Sequence, residues 1–319
     1  MTVQFAVLAS GSRGNSTLIR GRGAGLLIDV GIGPKVLRER LESVGSCWSG
    51  IAAVVLTHTH ADHIDTATFA ELARRGVTLY CHEGHRAELA ADPGFQKLEE
   101  GGLTRCYDDH PFLTSTGSRL EPIELRHDAG PTFGFRIEAP AERRGPPVQI
   151  GYVADTGSWS PAMAESLTDV DVLGVEFNHD IAMQKSSRRP EFLIERNLSD
   201  DGHLSNVQGA ALVEAVLARS RDRSPRHVVL LHLSEQCNQP DLAVRAAQDA
   251  LRAAGRQADI HAARQCPAFP NLWVTPRRKP VRTPGAALLP RPARASKQTV
   301  YNGGSQGETG LLRWDPDQD

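Results

Sequence analysis

The chain has 319 residues, 40% hydrophobic and 23% charged, with a formal net charge of −2 at pH 7. That is an ordinary globular mix and excludes a disordered, fibrous or collagen-like protein. No apolar run reaches the roughly 18–20 residues that cross a bilayer, and the N-terminal segment MTVQFAVLASGSRGNS has no basic start and only a short apolar stretch, so a cytoplasmic protein with no membrane contact is expected.

Taken in chain order, 4–9, 16–20 and 26–30 read as short strands separated by glycine-rich turns. Pro34 opens a helix over 34–43. The β-branched run 51–56 is a buried strand that ends directly on Thr57 and His58. A helix over 65–75, a strand over 77–81 and a helix over 83–90 follow. The middle section is strand-rich, with 119–126, 132–138, 148–154 and 170–177. A helix over 206–220 carries Val207, Ala210, Ala211, Val213, Val216 and Leu217 as its apolar side. A strand over 227–231 and a helix over 240–254 complete the periodic part. No repeat of solenoid period is present.

Beyond Pro276 the periodicity stops. Residues 277–319 carry eight basic and four acidic groups among many prolines and glycines, so a folded domain over 1–276 and a disordered tail over 277–319 are expected. The tail reads either as an inert extension or as an electrostatic contact to DNA. The body holds 28 basic against 34 acidic residues, which by itself does not advertise a nucleic-acid surface. The five cysteines are odd in number, scattered and free of any C-x-x-C pair; neither a disulfide framework nor a zinc finger is indicated.

The densest chemistry lies in Leu56-Thr-His-Thr-His-Ala-Asp-His63. His58, His60, Asp62 and His63 fall within six residues, just after a buried strand. Imidazole nitrogens and a carboxylate suit zinc, manganese or iron. More ligands are needed for a pair of ions, and His127, Asp155 and His232 each follow an apolar strand. A lone strand-end histidine is as readily a surface or capping residue; four such positions together point to a metal site holding two divalent cations, with zinc the first expectation and manganese or iron the alternatives.

These motifs, in this order and approximate spacing, resemble the metallo-β-lactamase superfamily of hydrolases. The resemblance runs over about 1–265 and implies an α/β fold, the αββα sandwich of two mixed sheets with helices outside and metals at one edge. It implies His58, His60 and His127 on one ion, Asp62, His63 and His232 on the other, and Asp155 between them, with Asp29 in LLIDVG supporting the metal loop. GSRGNS, THTHADH, RHDAGPTFGF, YVADTG, EFNHD, GHLSN and HLS together resemble the YycJ (WalJ) branch. That branch implies a 5′-to-3′ exonuclease acting on duplex DNA. Cys237, where the branch commonly shows asparagine, and Asp65, where a small residue is usual, depart from its pattern.

The ribonuclease Z-like order of motifs implies His203 as the proton donor to the leaving oxygen, with Glu176 as its orienting partner. The expected catalytic residues are therefore Asp62, His203 and Glu176, and the expected substrate contacts are Ser205, Asn206, Asn178 and His179. His203 also fits an ordinary helix N-terminal residue, and Ser205 or Asn206 a simple cap. Lys185, Arg188 and Arg189 read equally as phosphate ligands or as a solvated loop. A small-molecule hydrolase of the same fold, a cyclic phosphodiesterase or lactonase, is the alternative to the nuclease.

Overall fold

The computed structural model describes residues 1–142 and 145–277. The chain first lays down six strands of one sheet: β1 (Val3–Ala9), β2 (Ser16–Arg20), β3 (Gly25–Ile28), β4 (Ile51–Val55), β5 (Thr78–His82) and β6 (Thr104–Tyr107). It then builds a second sheet from β7 (Phe112–Leu113), β8 (Arg119–Leu125), β9 (Thr132–Ala139), β10 (Val148–Val153), β11 (Val172–Glu176), β12 (His227–Leu231) and β13 (Asp259–Ala262). The last strand, β14 (Asn271–Val274), returns to the first sheet beside β1.

Each sheet runs in a simple order, β14-β1-β2-β3-β4-β5-β6 and β13-β12-β11-β10-β9-β8-β7. Each is half antiparallel and half parallel. The parallel halves, β3 to β6 and β10 to β13, carry helices in their crossovers, as parallel connections require. Their inner strands, such as β4 and β12, are buried on both faces and so read as apolar runs, IAAVV and HVVLL.

Alternation along the strands sorts side chains into layers. Phe5, Val7, Ile28 and Val55 of the first sheet share one inter-sheet core with Phe135, Ile150, Tyr152 and Val229 of the second. The opposite faces pack on helices: Leu8, Leu27 and Val54 with Leu37, Leu41, Phe69 and Leu72, and Val153, Leu173 and Val175 with Leu212, Val216 and Leu251. This is the αββα sandwich expected from the sequence. No helix among the described residues is long and apolar enough to cross a membrane.

The strands expected over 26–30 and 148–154 stop early, at Ile28 and Val153. Asp29 and Asp155 each adopt φ 59° and turn the chain out of the ladder. The helix expected from 65 begins at Thr66, because Asp65 is its N-cap and accepts a hydrogen bond from Thr68 N at 2.7 Å. The helix expected over 83–90 is a 3₁₀ turn followed by one short turn, Arg86–Leu89. Helices Pro93–Glu100, Pro161–Ser166, Ile181–Lys185 and Glu191–Leu198 are not expected from the sequence; the longest of them has 8 residues, too short for periodicity to stand out.

The expected domain boundary falls after Pro276. Arg277 donates to Asp171 Oδ1 at 2.6 Å and to Ser224 O at 2.7 Å, so it belongs to the folded body. The rest of the expected tail lies outside the described residues.

Candidate metal centre and active site

Every residue of the expected metal set lies beyond the same edge of the sandwich. His58, His60, Asp62 and His63 leave β4, Asp155 leaves β10, Glu176 ends β11 and His232 leaves β12, all parallel strands whose carboxyl ends point to one side. His127 arrives from β8. Open α/β sheets place their ligands at such carboxyl ends.

The backbone is bent to deliver them. Among the described residues only four non-glycine positions have positive φ, and three are in this site: Asp29, Asp155 and His232 at 53–59°. Each costs about 1–3 kcal/mol, a strain that surrounding structure must hold. The metal loop is pinned against the neighbouring turn, where a Cβ on Gly31 would overlap the carbonyl oxygen of Asp62.

Four groups of potential ligands converge: His58, His60 and His127; Asp62, His63 and His232; His58, His63 and Asp155; and Asp155, Glu176, His203 and His232, each with ligating atoms within 4.8 Å of one another. A further hydrogen-bonded layer fixes the rings. His63 Nδ1–H donates to Asp29 Oδ2 at 2.8 Å, and Asp29 also accepts from Thr57 N and Thr57 Oγ1. His127 Nδ1–H donates to Gly202 O at 2.9 Å. Such contacts leave each Nε2 aimed inward and set the tautomer. His58 Nε2 is buried without any hydrogen-bond partner, and Asp155 Oδ2 meets only His63 Nε2, at 3.0 Å. Buried orphan donors and acceptors are costly, and a divalent cation is the partner this donor set fits.

The electrostatics agree. Burial, reinforced by the neighbouring His63, holds His58 well below its ordinary pKa, and burial likewise lowers His60 and His127. These rings are neutral and free to ligate. Burial also opposes charge on His63 and His232, but carboxylates win: Asp29 and Asp155 raise His63 well above its ordinary value, and Asp155, Asp62 and Glu176 bring His232 to about 10. That same negative potential would attract a divalent ion.

Beside the metal set, His203 Nδ1 lies 2.7 Å from Glu176 Oε1. Glu176 is fully buried, and its other oxygen accepts from Thr156 N at 2.9 Å and Leu204 N at 3.3 Å. The carboxylate therefore anchors two loops and contacts two rings, His203 and His232, and His203 Nε2 is left as the nitrogen available to a substrate. A cavity of about 340 Å³ opens here, lined by His60, Asp62, Asp155, Asn178, His203 and His232 on the chemical side.

Of the expected substrate contacts, only Asn178 lines this cavity. Its Nδ2 donates to His232 O at 2.9 Å. Ser205 instead caps the helix Asn206–Arg219 in a capping box with Gln208. Asn206 exchanges hydrogen bonds with Asn238, both at 2.9 Å, and His179 is buried, 1% exposed, behind the wall. Arg196, paired with Asp128 (Nη2 to Oδ1, 2.8 Å), is not expected from the sequence, and Asn15 of the GSRGNS loop brings its Nδ2 to 3.1 Å from Asp62 Oδ2. Asp128 directly follows His127, the one sequence signal that marked it; Arg196 sits in a short helix with none.

Residues 26–233 match the family model for the β-lactamase superfamily domain. The chain is 29% identical over 248 residues to the exodeoxyribonuclease WalJ of Streptococcus pneumoniae serotype 2 (strain D39 / NCTC 7466), covering 75% of this chain and 85% of that protein. It is 24% identical over 250 residues to the exodeoxyribonuclease YycJ of Bacillus anthracis, covering 76% and 87%. Among solved structures it is similar to the metallo-β-lactamase fold protein YhfI from Bacillus subtilis, with a TM-score of 0.58, 17% identity, and coverage of 84% of this chain and 99% of that one.

Proposed function

The chain belongs to the β-lactamase superfamily, and from that membership and the geometry of its site we propose that it is a metal-dependent phosphodiester hydrolase, a DNA exonuclease working in the 5′-to-3′ direction. The observation that carries this reading is the Glu176–His203 contact beside the histidine–aspartate cluster. An alkoxide is a poor leaving group, and a histidine fixed on one carboxylate is the device that gives it a proton. The similarity to two exodeoxyribonucleases over three quarters of the chain supports the substrate class.

The residues present fit two divalent ions. His58, His60 and His127 would hold one, Asp62, His63 and His232 the other, with Asp155 between them; zinc suits the donors best, and manganese or iron are compatible. Bound there, the ions would supply the positive charge that activates water near neutral pH and neutralises the phosphoryl oxygens in the transition state.

The chain's own residues do the rest. Asp62 opens onto the cavity, its Oδ2 within 3.3 Å of His232 Nε2 and 3.1 Å of Asn15 Nδ2. It accepts a hydrogen bond from the attacking water and fixes its direction. As the water oxygen bonds to phosphorus and the P–O3′ bond breaks, His203 Nε2 gives its proton to the departing O3′. Glu176 keeps the ring pointed at that oxygen. The cavity is near the small end of ligand sites, which run roughly 300–1,000 Å³, so a strand end enters where the middle of a duplex cannot.

A substrate panel tests the reading: duplex DNA, structured RNA, a cyclic nucleotide and a lactone, each with the metal-loaded protein. Mononucleotides released from duplex DNA as the dominant activity is the expected result. Turnover of the cyclic nucleotide or lactone with DNA intact would make this a small-molecule hydrolase, the alternative that the acidic body of the chain favours.

A further inference from the structure

The cavity has a second end that the chemistry above does not use. Of the segment Lys185-Ser-Ser-Arg-Arg-Pro190 only Arg189 lines it, and the structure separates the three cations of that segment. Lys185 and Arg188 are exposed to solvent, whereas Arg189 is half-buried and lines the cavity with Ser12, Asn178 and His203. Arg189 Nε donates to Gln236 Oε1 at 3.0 Å and Nη2 reaches Ser234 Oγ at 3.5 Å. Both partners come from the segment that follows His232, so the guanidinium is fixed to the same loop as a metal-set residue.

Neither partner carries charge. Among the described residues no carboxylate pairs with Arg189, while the other arginine of the cavity, Arg196, is matched by Asp128. A guanidinium has five N–H donors; here most remain free and face a confined space. A half-buried, uncompensated cation favours an anion, and the planar fork matches two oxygens of a phosphate.

We propose that Arg189, with Ser234 and Gln236 positioning it, forms a subsite for the 5′-terminal phosphate of the strand being degraded. The proposal rests on the exonuclease reading for its substrate. His203 marks the side from which the leaving O3′ departs. The nucleotide that owns that O3′ carries its 5′-phosphate one nucleotide farther from the scissile bond. His203 and Arg189 line the same cavity, whose volume of about 340 Å³ is that of a small-ligand site. Arg189 thus selects an end that bears a phosphate and sets the register at one nucleotide per cut.

The test compares duplex DNA bearing a 5′-phosphate with the same duplex bearing a 5′-hydroxyl. Full-length metal-loaded wild type, Arg189→Gln and Arg189→Lys are used, with thermal midpoints measured to establish folding. Wild type is expected to degrade the phosphorylated end about ten-fold faster or more, the worth of one charge-assisted contact. Arg189→Gln should lose that preference and slow only on the phosphorylated end, and Arg189→Lys should recover part of it. Equal rates on both ends in wild type, or a preference undiminished in Arg189→Gln, would overturn the proposal. If wild type cleaves neither duplex, the exonuclease reading fails, and calorimetry with dAMP and deoxyadenosine then decides the subsite. A ten-fold weaker dAMP in Arg189→Gln with deoxyadenosine unchanged sustains it; equal dAMP affinity removes it.

Discussion

Glu176 Oε1 lies 2.7 Å from His203 Nδ1 and 3.3 Å from His232 Nδ1, so one buried carboxylate touches both the ring assigned to proton donation and a ring of the metal set. Metal position and donor position are thereby tied to a single group.

Removing the donor should expose its role through the leaving group. His203→Ala is expected to lower DNA cleavage by about 10²–10⁴-fold, the usual worth of a general acid, without changing metal content. Hydrolysis of bis(p-nitrophenyl) phosphate, whose leaving group departs without a proton, should fall far less. Equal losses on both substrates would show that His203 does something other than protonate.

Gly31→Ala addresses the metal loop from outside the ligand set. The added methyl would overlap the Asp62 carbonyl oxygen, so the loop must move by more than a ligating bond tolerates. The variant should fold yet bind fewer than two metals per chain by elemental analysis. A full metal complement would mean that the loop is less constrained than its packing indicates.

Asp171 should matter to stability and not to chemistry. It is fully buried, with Arg223 Nη1 at 3.4 Å, Arg277 Nε at 2.6 Å and Gln149 N at 3.0 Å. Asp171→Ala leaves these cations uncompensated and is expected to cost roughly 3–5 kcal/mol in denaturant unfolding. Activity per folded molecule should stay near wild type; a selective loss of activity at unchanged stability would contradict this.

Acid should weaken the fold through His179. Burial, only partly offset by Glu176, pushes this ring down to about 4, and neither of its nitrogens has a partner. A folded pKa below the unfolded value of about 6.5 contributes stability that is present above pH 6.5 and lost as pH falls from there toward 4. The loss is at most roughly 1.4 kcal/mol per pH unit. Unfolding free energy should therefore fall less steeply over that window in His179→Gln than in wild type; identical slopes would exclude the ring as the cause.

Much of the site was legible because the chemistry is concentrated in sequence. HTHADH carries four metal-set residues together, and His127, Asp155 and His232 stand at the ends of apolar runs whose strand character is plain. The capping residues beside His203 misled: Ser205 and Asn206 occupy a motif near the chemistry, yet the start of the next helix needs them for its own hydrogen bonds. Arg189 and Arg196 could not be ranked from sequence. Whether an arginine is neutralised depends on which carboxylate the fold brings beside it, and Asp128 is 68 residues from Arg196. The positive φ values at Asp29, Asp155 and His232 were equally hidden, since no local preference announces strain that tertiary contacts impose.

The most direct test follows degradation of one duplex labelled at the 5′ end and, separately, at the 3′ end, by metal-loaded wild type, Asp62→Ala and His203→Ala. The account predicts labelled mononucleotide at once from the 5′-labelled strand and progressively shorter fragments from the 3′-labelled strand. Asp62→Ala should abolish both and His203→Ala should slow both. Immediate mononucleotide from the 3′ label, internal fragments from both labels, or full activity in His203→Ala would contradict it.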